Sequence, residues 1–92
     1  MYQFVWENSF VRAYKKLTKN NNSLKLRIND VLALLQEDPF LPKLKTHKLH
    51  GKLNYLLAAS IDFEYRIVFI IKEIDKKQSI ILIDIGTHDE VY

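Results

Sequence analysis

The spacing of apolar residues changes once along this chain, from a helical period to a strand period, and that change restricts the architecture more than any other feature. Leu24, Ile28, Val31, Leu32 and Leu35 recur at steps of three and four, the spacing that lines one side of an α-helix. Before them, Phe10, Tyr14 and Leu17 follow the same rule. Beyond residue 53 the rule is alternation: LNYLLAASI over 53–61, EYRIVFIIKEI over 64–74 and SIILIDIG over 79–86. These segments are rich in β-branched and aromatic residues and read as strands.

Punctuation agrees with the period. Asn8 or Ser9 is placed to cap the first helix, and the run Lys19-Asn20-Asn21-Asn22 interrupts the pattern as a turn. Asn22 or Ser23 is placed to cap the second helix, since short polar side chains accept from the free N–H groups of a first turn. Asp38-Pro39 ends it, because a residue before proline is driven out of the α region. Asp62-Phe63 and Asp75-Lys76-Lys77-Gln78 supply tight turns between the later strands. Connections this short join antiparallel neighbours, so the last three strands form a meander. With Tyr2–Trp6 as a first strand, the expected order is β-α-α-β-β-β, an α+β fold in which the meander packs on two N-terminal helices.

Alternation assigns the sheet faces. Tyr65, Ile67, Phe69 and Ile71 point one way; Arg66, Val68, Ile70 and Lys72 point the other. In the last strand Ile81, Ile83 and Ile85 oppose Leu82 and Asp84. The more uniformly apolar sets are expected against the helices, which leaves Arg66 and Asp84 on the open face.

At 92 residues the chain is expected to form a single domain, residues 1–92, with one core. Cysteine is absent, which removes disulfides and thiolate metal sites and suits a reducing compartment. No apolar run approaches the roughly 20 residues of a membrane span, and the N-terminus has no basic segment followed by a long apolar one. A soluble, cytoplasmic protein with no membrane partner is expected. Lys and Arg total 14 against 11 Asp and Glu, and the local distribution matters more than the excess. Residues 43–52, KLKTHKLHGK, hold four Lys and two His without one carboxylate. Such a patch suits a polyanion, although a solvated basic loop has the same composition.

Three stretches carry a resemblance. His47-Lys48-Leu49-His50-Gly51 is similar to an H-x-L-x-G segment, and Glu64-Tyr65-Arg66-Ile67-Val68-Phe69 to a strand of the pattern acidic, aromatic, Arg, aliphatic, Val, aromatic. The ending Gly86-Thr87-His88-Asp89-Glu90-Val91-Tyr92 looks like a G-T-H-D ending closed by an aromatic. In this order and spacing they resemble the RelE/ParE toxin superfamily, closest to its YafQ-like mRNA interferases, across essentially the whole chain. The resemblance implies a RelE-like fold of the microbial-ribonuclease type and the toxin half of a type II toxin–antitoxin pair. It also implies metal-independent cleavage of mRNA in the ribosomal A site, no cofactor, and a cognate antitoxin, mRNA and the ribosome with its ribosomal RNA as partners.

RNA cleavage of this kind needs a base for the 2′-hydroxyl, an acid for the leaving oxygen and cations for the charge on phosphorus. His88 is the candidate acid. His47 is the candidate base or a second group on the phosphate, with His50 and Glu64 as competitors for the proton. Arg66 is the candidate phosphate clamp, because a guanidinium grips phosphate bidentately, and Glu64 the group that orients it or a histidine. Tyr92 is a candidate for stacking on a base or positioning the phosphate. Lys43, Lys45, His50 and Lys52 are candidate RNA-binding residues. Read as metal ligands, His47 and His50 lack a third donor in their loop.

Two positions depart from the pattern. Some YafQ-type sequences have an arginine shortly before the final histidine and a further histidine in the second strand; here Asp84 and Ser60 stand there. An Arg66–Asp84 ion pair across neighbouring strands is one expectation that follows. Two other functions stay open: a ParE-like toxin that binds DNA gyrase without cutting RNA, which the resemblance implies would share the fold but lack the H-x-L-x-G and G-T-H histidines, and, on the Asp84 departure, a catalytically silent RNA- or antitoxin-binding domain.

Overall fold

The structure, a computed structural model, describes residues 1–53 and 55–87. A strand β1 (Gln3–Trp6) leads into α1 (Asn8–Thr18) and α2 (Asn22–Glu37). A single 3-10 turn at Pro42–Leu44 precedes a two-residue strand β2 (His47–Lys48), and a second at Gly51–Leu53 precedes β3 (Leu57–Ser60). The long strands β4 (Tyr65–Ile74) and β5 (Lys77–Thr87) complete the order. The sheet runs β1-β5-β4-β3-β2, with β1 parallel to β5 and each remaining pair antiparallel.

The expected α+β architecture and the meander are therefore present, with an added edge strand drawn from the basic loop. The strand expected over 53–61 is shorter, because Gly51 at φ 70° and the 3-10 turn bend the chain. The backbone N–H of Leu49 donates to the carbonyl of Leu56 at 3.0 Å, so β2 and β3 close as a hairpin across that bend. The β4–β5 turn is tighter than its four polar residues imply. Asp75 and Lys76 alone form it, both at positive φ, 51° and 67°, the pattern that matches strand twist in a two-residue hairpin.

The helix faces hold as read. Leu24, Ile28, Val31, Leu32 and Leu35 are buried with Phe10 against Ile67, Phe69, Ile80, Leu82 and Ile85. Each such side chain contributes about 1.5–3 kcal/mol through removal from water. The caps differ from expectation. Asn21, not Asn22 or Ser23, caps α2 by accepting from the N–H of Leu24 at 3.1 Å. At α1 Glu7 is the cap residue without a side-chain bond, and Ser9 donates instead to the carbonyl of Ile83 in β5.

The face assignment in β5 needs correction. Ile67 pairs with Ile85 and Val68 with Asp84, but Phe69 pairs with Leu82, so a bulge leaves Ile83 as an extra residue. One inserted residue shifts the alternation by one. Ile80 and Leu82 face the helices before the bulge and Ile85 after it. Ile83, expected in the core with Ile81 and Ile85, packs on the opposite face with Leu49, Leu56, Ala58, Val68 and Ile70.

Candidate functional site

The sheet face away from the helices is organised in rows. His47 pairs with Ala58, Ala58 with Val68, and Val68 with Asp84. Cross-strand partners project to the same side, so His47 and Asp84 lie at two ends of a row with small apolar residues between them. The next row is Ser60, Arg66 and Gly86. His47 and Arg66 thus share a face on strands separated by β3, with roughly 10 Å between the two strand backbones.

The basic segment is built by two apolar anchors. Leu44 is 1% exposed and Leu49 4%, while Lys43, Lys45, His47, Lys48, His50 and Lys52 are all exposed. Burying the leucines forces the intervening cations into water. Thr46 fastens the segment to the end of α2 by donating from Oγ1 to the carbonyl of Pro39 at 2.6 Å. Lys45 takes a left-handed conformation, φ 52°, and its carbonyl lies 3.0 Å from Nδ1 of His47. An Nδ1–H donated to that carbonyl selects the tautomer whose Nε2 carries the lone pair a general base needs.

Arg66 is half-buried and held by the turn before it. Its Nη1 donates to the carbonyl of Asp62 at 2.6 Å and to that of Tyr65 at 3.1 Å. Asp62 in turn accepts at Oδ1 from the N–H groups of Glu64 at 2.9 Å and Tyr65 at 2.8 Å. Its Oδ2 lies 3.3 Å from Nε of Arg27 in α2. Burial opposes ionisation of Asp62, but the two backbone donors and Arg27 outweigh it, and the carboxyl sits below its ordinary range. Asp62 is the residue that sequence reasoning missed. It reads there only as a turn residue, whereas an aspartate with free N–H groups two and three positions ahead is the signature of an Asx turn.

Glu64 falls outside the strand that carries Arg66. It lies in the turn, exposed, ahead of the first β4 residue, and its carboxylate has no partner among the described residues. The expected Arg66–Asp84 ion pair is also absent; among the described residues the only ion pair is Arg27–Asp62. Asp84 instead accepts at Oδ1 from the N–H of Ile85 at 2.8 Å, and the bulge spends that carboxylate on the backbone. Ser60 pairs with Arg66 in the adjacent strand. His50 and Lys52 are exposed in the bend between β2 and β3. His88 and Tyr92 lie outside the described residues; Thr87, immediately before His88, ends β5 opposite Tyr65. Among the described residues no three His, Asp or Glu side chains converge as a metal site requires.

The sheet thus carries a cationic edge, with a histidine and an arginine on the face away from the helices, beside a second, smaller apolar cluster. Residues 2–92 match the family described as bacterial toxin of type II toxin-antitoxin system, YafQ. The chain belongs to this YafQ toxin family. No curated protein matches it. Among solved structures, a metal-bound toxin from Helicobacter pylori is 29% identical with a TM-score of 0.75, covering 100% of both chains. YafQ from E. coli is 15% identical at a TM-score of 0.77, covering 100% of this chain and 99% of that one. A YoeB/ParE toxin from Agrobacterium tumefaciens is 22% identical at 0.79, covering 94% and 98%. The shared fold is the RelE-like one. Among the described residues no helix is long and apolar enough to cross a membrane.

Proposed function

We propose that this toxin is a ribosome-dependent mRNA endoribonuclease, held inactive by a cognate antitoxin and released when that partner is removed. The observation that carries the reading is the common sheet face of His47 and Arg66, bordered by the exposed cations of residues 43–52. His47, with Nδ1 directed at the Lys45 carbonyl, takes the 2′-hydroxyl proton at Nε2. Arg66 offers the phosphate Nε and Nη2, since its bonds to Asp62 and Tyr65 use Nη1. His88 protonates the leaving 5′-oxygen. Lys43, Lys45, His50 and Lys52 hold flanking phosphates without reading sequence, and Tyr92 stacks on or positions the substrate at the chain end.

An antitoxin partner fits the family membership, and the E. coli DinJ–YafQ complex is a solved instance of such an assembly in a chain 15% identical at a TM-score of 0.75. The test is primer extension on mRNA from an in vitro translation reaction, comparing wild type with His88→Ala. Cuts inside ribosome-occupied codons that disappear in the variant support the reading. Translation arrest without cuts removes the nuclease step, and neither arrest nor cuts directs attention to gyrase.

A further inference from the structure

Beside His47 the surface opens into a groove of about 640 Å³ lined by Phe40, Thr46, His47, Lys48, Tyr55 and Leu57, with Ile70 and Ile71 behind them. It exists because β3 begins at Leu57, opposite Phe69, while β4 continues to Ile74. Past that point β4 has no β3 neighbour, and the side chains of the hairpin loop and of the segment after α2 form the walls. Two large aromatics stand exposed there, Phe40 at 57% and Tyr55 at 67%. Neither contributes to the apolar clusters of the fold, so packing does not account for them.

We propose that this groove is a nucleobase subsite, in which Tyr55 and Phe40 stack on a base of the RNA adjoining the phosphate at His47. The inference rests on the RNA-cleaving reading and extends it to residues outside the motifs. Three observations favour a nucleotide over an apolar protein anchor. The lining contains a histidine and a lysine and no carboxylate. Lys43 and Lys45 continue the positive charge along the same segment. The groove is also continuous with His47, so the base next to a phosphate held there has this space to enter. Stacking on an aromatic contributes about 1–3 kcal/mol per base and tolerates any sequence, because every base has a π face.

The experiment places the fluorescent base 2-aminopurine in turn at each position of the A-site codon and its neighbours, in a non-cleavable 2′-O-methyl mRNA on bacterial ribosomes. Purified toxin, wild type or variant, is then added. Stacking quenches 2-aminopurine, so quenching at one position is expected with wild type, retained in Tyr55→Phe and lost in Tyr55→Ala. Toxin affinity should fall roughly fivefold to a hundredfold in Tyr55→Ala and by a smaller factor in Phe40→Ala. Both side chains are exposed, and unchanged thermal melting confirms that the variants fold. Absence of quenching at every position, or quenching that survives Tyr55→Ala and Phe40→Ala, overturns the proposal. So does a Tyr55→Ala variant that keeps its RNA signal but loses antitoxin affinity, which assigns the groove to protein. Quenching on a cleavable message that is never cut leaves the subsite standing and removes the nuclease reading instead.

Discussion

Arg66 in β4 takes its position from Asp62, whose backbone carbonyl accepts from Nη1 of the guanidinium at 2.6 Å. The same Asp62 closes its own turn through the N–H groups of Glu64 and Tyr65 and reaches Arg27 in α2. Three parts of the molecule thus meet at one residue: the hairpin turn and a core helix at its carboxylate, and the proposed phosphate clamp at its backbone carbonyl. The orientation of the clamp is a property of the turn.

Removing that carboxylate should therefore cost both stability and activity. Asp62→Ala leaves two backbone donors without their acceptor and is expected to destabilise the fold by about 1–2 kcal/mol. For a chain of this size that is a fall of roughly 5–15 °C in Tm. Cleavage by the still-folded fraction should also fall, because the Asp62 carbonyl that anchors Arg66 is no longer fixed by a turn closed through the carboxylate. An unchanged Tm in thermal denaturation would refute the role given to Asp62.

Acid should reveal the charge on Asp62 specifically. Its folded-state pKa is lowered by the Tyr65 and Glu64 N–H groups and Arg27, against the opposing effect of burial. The unfolded chain, with an aspartate near about 3.9, then takes up the proton first as pH falls. The stabilisation is fully present above that ordinary value and is lost as pH drops through the lower folded one. Asp62→Asn keeps an acceptor oxygen and removes the charge. Its Tm deficit relative to wild type should be steady near neutral pH and shrink toward zero in the acid range. A deficit that grows on acidification contradicts this assignment.

Arg66 itself separates charge from geometry. Arg66→Lys keeps the positive charge but not the planar fork that binds the Asp62 and Tyr65 carbonyls on one side and phosphate on the other. Cleavage should fall about a hundredfold or more, the scale of losing one preorganised donor to a developing charge, while circular dichroism stays native. Near-wild-type cleavage by the lysine variant would show that a point charge suffices.

The three candidates for the base can be ranked by single substitutions. His47, on the shared face with its Nδ1 directed at a carbonyl, should lose about two to four orders of magnitude as His47→Ala. His50→Ala and Glu64→Gln should stay within a few fold, since both residues lie in turns outside the strands that carry His47 and Arg66. A larger loss in Glu64→Gln than in His47→Ala would transfer the base to the turn.

Much of this arrangement is legible in the chain, and the exceptions have local causes. The α2 face from Leu24 to Leu35 follows from spacing alone because five periodic residues bury together. The β4 face follows because Ile67 and Phe69 alternate without interruption. The β5 face does not follow, since a bulge opposite Val68 resets the alternation and nothing in Leu82-Ile83-Asp84 marks an inserted residue. Strand β2 is equally hidden. Two exposed residues, His47 and Lys48, pair only because Leu49 and Leu56 bury behind them. At the candidate site, His47 and Arg66 are legible from their motifs, whereas Asp62 acts through backbone bonds that composition does not display.

The bulge also gives Asp84 a consequence of its own. By register it stands opposite Val68, on the face shared with His47 and Arg66, with its Oδ1 on the N–H of Ile85 and no cation paired to it among the described residues. A carboxylate there repels the phosphates of an RNA laid across the sheet. Asp84→Asn preserves the backbone bond, because the amide oxygen accepts as the carboxylate does, and removes only the charge. At an effective dielectric between protein and water, relief of that repulsion is worth about 0.5–1 kcal/mol. The expected result is a gain of roughly two- to fivefold in kcat/KM. The gain should be largest at low salt and fade as ionic strength rises, since the Debye length is about 10 Å at 0.1 M. A salt-independent loss of cleavage in Asp84→Asn would mean that the carboxylate serves the reaction, and would place Asp84 among the groups that move or hold a proton.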